Sequence, residues 1–196
     1  MGNPRDVVRP GNITKGDLIL PRRHRIRAID IGALASYGVP FVNVLSARVG
    51  IISTGSELVP LGITPFPEQN VESNNFFAEA YLTGMGAACT RYPLVPDDRD
   101  MIESQLHQAV KENDLVLLSA GSSAGTTDFT EEILKKAGKL LFHGVEIKPG
   151  KPVMLGIVDK IPVLGMPGYP VAAQTIVREF AAHLLEHWGL APHPTY

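Results

Sequence analysis

The chain has 196 residues, 44% hydrophobic and 19% charged, and its 18 basic and 20 acidic side chains give a formal net charge of −2. That balance lacks the basic excess on which nucleic-acid binding rests, and the single Cys89 excludes both an internal disulfide framework and a Cys-rich zinc site. No apolar run approaches the roughly 20 residues that a membrane span needs, so the expectation is a cytoplasmic protein that binds neither nucleic acid nor membrane.

Residues 1–46 read as the incomplete part of an adjoining domain, which makes a piece of a longer protein the expectation. Pro4, Pro10 and Gly11 precede a strand-like stretch, and Ile13, Leu18, Ile19 and Leu20 are too few for a core of their own. One helix is predicted over residues 29–37, closed by Gly38 at a left-handed C-cap. Arg22, Arg23, Arg25 and Arg27 cluster with His24 in what reads as a solvated turn.

From residue 47 to 190 short apolar runs alternate with amphipathic stretches, followed by a tail at 191–196. Residues 49–52 read as a buried strand, and 74–84 as a helix capped by Ser73 or Asn74, with Phe76, Phe77, Ala80 and Tyr81 facing the core. Residues 89–95 are the next strand, with Cys89 as a small buried side chain. The helix over 98–112 carries Met101, Ile102, Leu106, Ala109 and Val110 at helical spacing. Residues 115–118 are continuously apolar, as in a strand covered on both faces. Asp128 and Glu131 suggest a capping box for a helix over 128–137, with Gly138 ending it. Strands over 153–157 and 161–164 flank the turn Asp159-Lys160, which implies an antiparallel hairpin, and 171–188 is the last helix. This order predicts a three-layer α/β/α fold whose sheet is mostly parallel, with one antiparallel hairpin strand.

In such a sheet, ligands bind beyond the carboxyl ends of the strands, so the loops there are the candidate site. Ser119-Ala120-Gly121-Ser122-Ser123-Ala124-Gly125-Thr126-Thr127-Asp128 follows the most apolar strand and feeds a helix. Its small residues allow close backbone approach, and free N–H groups at the helix start attract anions. It lacks the Gly-Lys-Ser/Thr ending of a P-loop and is not a dinucleotide fingerprint. Gly165-Met166-Pro167-Gly168-Tyr169-Pro170 is a stiff strand-to-helix turn. Ser53-Thr54-Gly55-Ser56-Glu57-Leu58 places a carboxylate at a strand end. Glu146-Ile147-Lys148-Pro149-Gly150-Lys151-Pro152 holds two lysines suited to an oxyanion. His183-Leu184-Leu185-Glu186-His187 fits an inverted zinc-peptidase pattern, but a structural role at the end of the helix is the stronger reading.

Together these segments, with Val95-Pro96-Asp97-Asp98, resemble the molybdenum cofactor biosynthesis domain over residues 48–188. Gly11-Asn12-Ile13-Thr14-Lys15-Gly16-Asp17-Leu18-Ile19-Leu20 and Asp30-Ile31-Gly32-Ala33-Leu34-Ala35-Ser36-Tyr37-Gly38 look like the stretch preceding that domain in the molybdopterin molybdenumtransferase branch, MoeA and the gephyrin E domain. The resemblance implies binding of adenylylated molybdopterin and insertion of molybdate with release of AMP. It further implies Mg2+ as helper ion and a homodimer. Carried over, Glu57, Asp97 and Asp128 are the acidic catalytic residues, with Glu57 and Asp128 holding the metal. Thr54, Gly55, Ser119, Gly121, Ser123, Gly125, Lys148, Lys151, Pro167, Gly168 and Pro170 bind the cofactor. Ser56, Ala120, Ser122 and Tyr169 depart from the usual family residues. Two alternatives accompany this reading: a non-catalytic molybdopterin-binding module of a sensor or scaffold, favoured by Ser56, and a molybdopterin adenylyltransferase.

Overall fold

The computed structural model describes residues 16–119 and 126–192, with main chain alone at 126–128. The chain divides into two units between Leu45 and Ser46.

In the first unit, helix α1 (Ala28–Ser36) starts one residue earlier than its sequence pattern suggests. Its capping box pairs Arg27 with Asp30, whose carboxylate accepts from Arg27 N at 2.8 Å and from the Arg27 guanidinium. His24 Nε2 lies 2.9 Å from the same carboxylate. Two members of the basic cluster therefore serve α1. Gly38, at φ +71°, follows the helix in the left-handed conformation that glycine adopts without a Cβ penalty.

The second unit is built on a six-stranded sheet of β1 (Arg48–Ser53), β4 (Ala88–Arg91), β5 (Leu115–Ser119), β6 (Lys139–His143), β7 (Met154–Val158) and β8 (Ile161–Met166), ordered β4-β1-β5-β8-β7-β6. Only β7 runs against the others. A two-stranded parallel ribbon, β2 (Leu58–Val59) and β3 (Asn70–Val71), stands apart from it.

Strand alternation sorts the side chains into two cores. Val49, Ile51, Leu115 and Leu117 join Ala78 and Leu82 of α2 (Asn74–Gly84) and Ile176 of α5 (Pro170–Ile176). Ile52, Val116 and Leu118 join Ile102 and Leu106 of α3 (Arg99–Glu112) and Ile133 and Leu134 of α4 (Thr126–Ala137). Helices thus cover both faces, which is the expected three-layer α/β/α arrangement, and residues 49–52 of β1 and 115–118 of β5 carry no polar side chain because neither face meets water.

Several elements differ from their sequence reading. Helix α2 spans the predicted residues, but its buried face is Asn75, Ala78 and Leu82; Phe76 is half-buried beneath the Arg91 guanidinium, 4.0 Å from the ring centroid. Met101 is exposed on α3, whose N-cap Asp98 accepts from Met101 N at 2.9 Å. Helix α4 begins at Thr126, so Asp128 lies inside its first turn and does not cap it. Glu131 instead binds Lys135 and His143. Strand β6 had no counterpart in the sequence reading. The last helix continues past α5 through a π-helical turn (Val177–Ala181) into α6 (Ala182–His187). Within it His183 Nδ1 is 3.1 Å from the Arg178 carbonyl oxygen, and no group of three metal-ligating side chains is found among the described residues.

Candidate functional site at the carboxyl rim

Strand order turns the chain outward on both sides of β1: β4 follows on one flank and β5 on the other. This is a topological switch point, and the crevice between the carboxyl ends of β1 and β5 is where a ligand has room to enter. Ser53 and Ser119 end these two strands as register partners.

The sheet ladder does not stop there. Thr54 N donates to Ser119 O at 2.9 Å, and Gly55 N to Val95 O at 3.0 Å. The Thr54 hydroxyl also donates to Ser119 O, and Thr54 is buried. Ser56 N donates to Asp97 Oδ2 at 3.1 Å, while Asp97 N donates to Ser56 Oγ at 3.0 Å. The 54–56 amides are therefore all committed within the protein. This turn is a rigid floor and not a cradle of free N–H groups. Gly55, at φ +148°, is required: a Cβ there would fall 2.7 Å from Glu57 Oε2. The Glu57 carboxylate folds back over this turn.

Among the described residues Asp97 Oδ1 is buried without a hydrogen-bond partner. The loop that carries it pairs with the β1 extension through the Thr54–Val95 bridge. Glu57 and Asp97 thus share one corner of the rim. The Asp128 main chain stands in the first turn of α4, on the helix that follows β5. Its side chain, and all of Gly121, Ser123 and Gly125, lie outside the described residues.

Lys148 and Lys151 reach the rim by topology. Strand β6 runs parallel to β8, and β7 returns in the opposite sense, so the 144–153 connection lies at the end where β8 finishes: Met154 pairs with Gly165. Both lysines are exposed. Pro167 is buried beneath the β8–α5 turn, and Pro170 is the first residue of α5, where a missing N–H costs nothing.

Two residues that the sequence reading left out of the candidate site, Asn74 having been read only as a helix cap, tie these loops together. Asn74 Nδ2 donates to Gly168 O at 2.8 Å and lies 3.5 Å from Ser119 Oγ. Glu72, 5% exposed, accepts at Oε1 from Ser53 Oγ at 3.1 Å and from Asn75 N at 2.7 Å, so it caps α2 in place of Ser73. Ser119, Gly168, Tyr169, Pro170, Glu72 and Asn74 line a cleft of about 230 Å3 together with the β2–β3 ribbon. The only advance signal was the position of Glu72 and Asn74 just before and at a helix start.

Residues 50–187 match the family described as a probable molybdopterin binding domain. The chain belongs to this molybdopterin-binding family. It is 31% identical to the molybdopterin molybdenumtransferase of Haemophilus influenzae over 189 residues, covering 93% of this chain and 47% of that protein. A crystal structure of the molybdopterin biosynthesis MoeA protein of Pyrococcus horikoshii superposes with a TM-score of 0.77 at 28% identity, over 86% of this chain and 42% of that one. The smaller molybdenum cofactor biosynthesis protein B shares the fold, with a TM-score of 0.57 at 19% identity, over 74% of this chain and 94% of its own. The chain thus spans less than half the length of the molybdenumtransferase and MoeA relatives. The Ser56 hydroxyl accepts from Asp97 N and closes the reciprocal pair.

Proposed function

We propose that this molybdopterin-binding domain holds adenylylated molybdopterin and takes part in molybdate insertion with release of AMP, as a molybdopterin molybdenumtransferase in molybdenum cofactor biosynthesis. The observation that carries this reading is the gathering of the Glu57 and Asp97 corner, the β5–α4 start and the lysine-bearing 144–153 connection on one rim, in a chain whose family binds molybdopterin. Lys148 and Lys151 offset the charge of phosphate and molybdate, while the acidic residues orient the groups that exchange.

Mg2+ belongs to the proposal only as a charge-neutralising partner of Glu57 and Asp128. Among the described residues no three His, Cys, Asp or Glu side chains gather around a common point, so no step is derived through the ion. The proposal includes a cytoplasmic setting and a homodimer of the whole protein, which sedimentation of that protein tests directly.

The deciding experiment is complementation with the full-length gene. Asp128→Ala is expected to abolish growth on a medium that requires a molybdoenzyme, and persistent growth with that variant overturns the catalytic reading. A second reading, a module that binds molybdopterin without chemistry, is favoured by the Ser56–Asp97 pair, which commits one Asp97 oxygen to the turn. On that reading Asp128→Ala leaves function intact while Lys148→Ala with Lys151→Ala abolishes ligand binding.

A further inference from the structure

The lysine-bearing connection hangs from the edge of the sheet. Strand β6 pairs on one side only, with β7, and that ladder shifts register between Leu140 and Phe142. Its last residue is His143, and the connection to Lys148 and Lys151 begins at the next position. Two main-chain bonds close the neck of that connection, Gly144 N to Val153 O at 2.8 Å and Val145 N to Lys151 O at 3.0 Å. They fix the shape of the loop but not its place relative to the helices. At Gly150 the loop lies against α5, since a Cβ there would fall 2.8 Å from Ile176 Cδ1.

A second hold is a side-chain pair. His143 Nδ1 lies 2.9 Å from Glu131 Oε2, and an ionised carboxylate only accepts, so the ring donates. The two side chains are 30% and 25% exposed, which withdraws most of the pair from competing water. Glu131 stands in the second turn of α4, and Lys135 Nζ meets its other oxygen at 2.6 Å. Hydrogen bonds from Lys135, and then from His143, hold the Glu131 carboxyl below its ordinary value, so it is ionised at neutral pH. Helix α4 is itself anchored on α3, through Arg99 to Glu132 and Lys136 to Glu103, each at 2.6 Å. The pair therefore runs from a fixed helix to a strand end that has one neighbour. It joins the two parts of the rim that an anionic ligand meets together, the start of α4 and the lysines.

We propose that Glu131 and His143 are positioning residues: their bond sets the spacing between the start of α4 and the Lys148–Lys151 connection, and with it the affinity of the rim for a phosphate-bearing ligand. Neither residue touches the ligand. Groups on two separate elements grip one anion only at a fixed separation, and a drift of about 1 Å is enough to weaken the grip severely. This role rests on the reading of the rim as a site for adenylylated molybdopterin, and adds the pair that holds its two halves in register.

Titration calorimetry of the full chain with AMP, at a temperature where every variant is folded, reads the effect. Glu131→Ala and His143→Ala should each weaken binding by about ten-fold, and the double variant by no more than either alone, because one bond is lost in all three. His143→Asn, whose amide nitrogen stands where Nδ1 does, should restore the affinity. Lys135→Met removes the other partner of Glu131 and should leave affinity at the wild-type level. Additive losses, failure of His143→Asn to rescue, or an equal loss in Lys135→Met overturns the proposal. So does a lowered thermal midpoint with unchanged AMP affinity, which is what a merely structural pair would give. Hydrogen exchange of the Gly144 and Val145 amides in the ligand-free chain keeps this failure apart from failure of the functional reading. If wild type binds neither AMP nor molybdate, that reading falls. The pair is then judged on exchange alone: about ten-fold faster exchange in His143→Ala supports it, and unchanged exchange overturns it.

Discussion

At the scale of single residues, the site depends on small groups in confined places. Gly55→Ala combines a left-handed backbone with a Cβ lodged against Glu57. It should cost about 1–3 kcal/mol in urea unfolding and displace the carboxylate from the rim. Asp30 makes a different prediction. Hydrogen bonds from Arg27, and then from His24, hold its carboxyl well below the ordinary carboxylate range. A depressed folded pKa means that its contribution to α1 is present at neutral pH and is lost as pH falls below that range toward the folded value. Amide shifts of α1 followed into acid should report this loss, and Asp30→Asn should remove the pH dependence. What could be read from the sequence at this scale was limited by distance along the chain. Glu57 and Ser119 stand at the ends of apolar runs and mark themselves. Asn74 acts on residues 45 and 94 positions away, and nothing local in the sequence announces such bonds.

At the scale of elements, periodicity located the buried strands and the long helices, because two-faced burial and 3.6-residue spacing leave plain patterns. The ends were harder to place. Helix α4 reaches back to Thr126, so the Asp128 main chain stands inside its first turn instead of at the cap. Gly138 does end that helix, but not by a left-handed cap: a Cβ there would meet the Ile157 backbone oxygen at 2.1 Å. Its glycine lets β6 enter against β7. Gly138→Ala should therefore destabilise by about 3 kcal/mol or more, since a main-chain neighbour cannot rotate away. Strand β6 itself escaped notice because it is a short edge strand with alternating exposure, interrupted by a register shift between Leu140 and Phe142. The hairpin turn Asp159-Lys160 was legible from its position, and both residues take positive φ, +49° and +72°. Replacing Lys160 with glycine should stabilise the chain by about 0.5–1 kcal/mol, checked as a rise in thermal midpoint.

At the scale of the whole molecule, the alternation of apolar runs and amphipathic helices was enough to specify three layers, since a sheet buried on both faces has few other ways to be covered. The second unit contains both cores, and it should unfold cooperatively when residues 46–196 are produced alone; a gradual, non-cooperative loss of its circular dichroism would contradict this. The first unit is another matter. Phe41 is 90% exposed, and Leu18, Val44 and Leu45 are exposed with it, which is why its sequence could not be read as a self-sufficient core. The main-chain bonds that carry the β1–β5 pairing on to Thr54 and Gly55 have a kinetic consequence. Those two amides should exchange with deuterium as slowly as the interior of the sheet, with or without ligand. The crevice floor is thus already ordered when the chain has folded, and occupancy has little entropy left to remove from it.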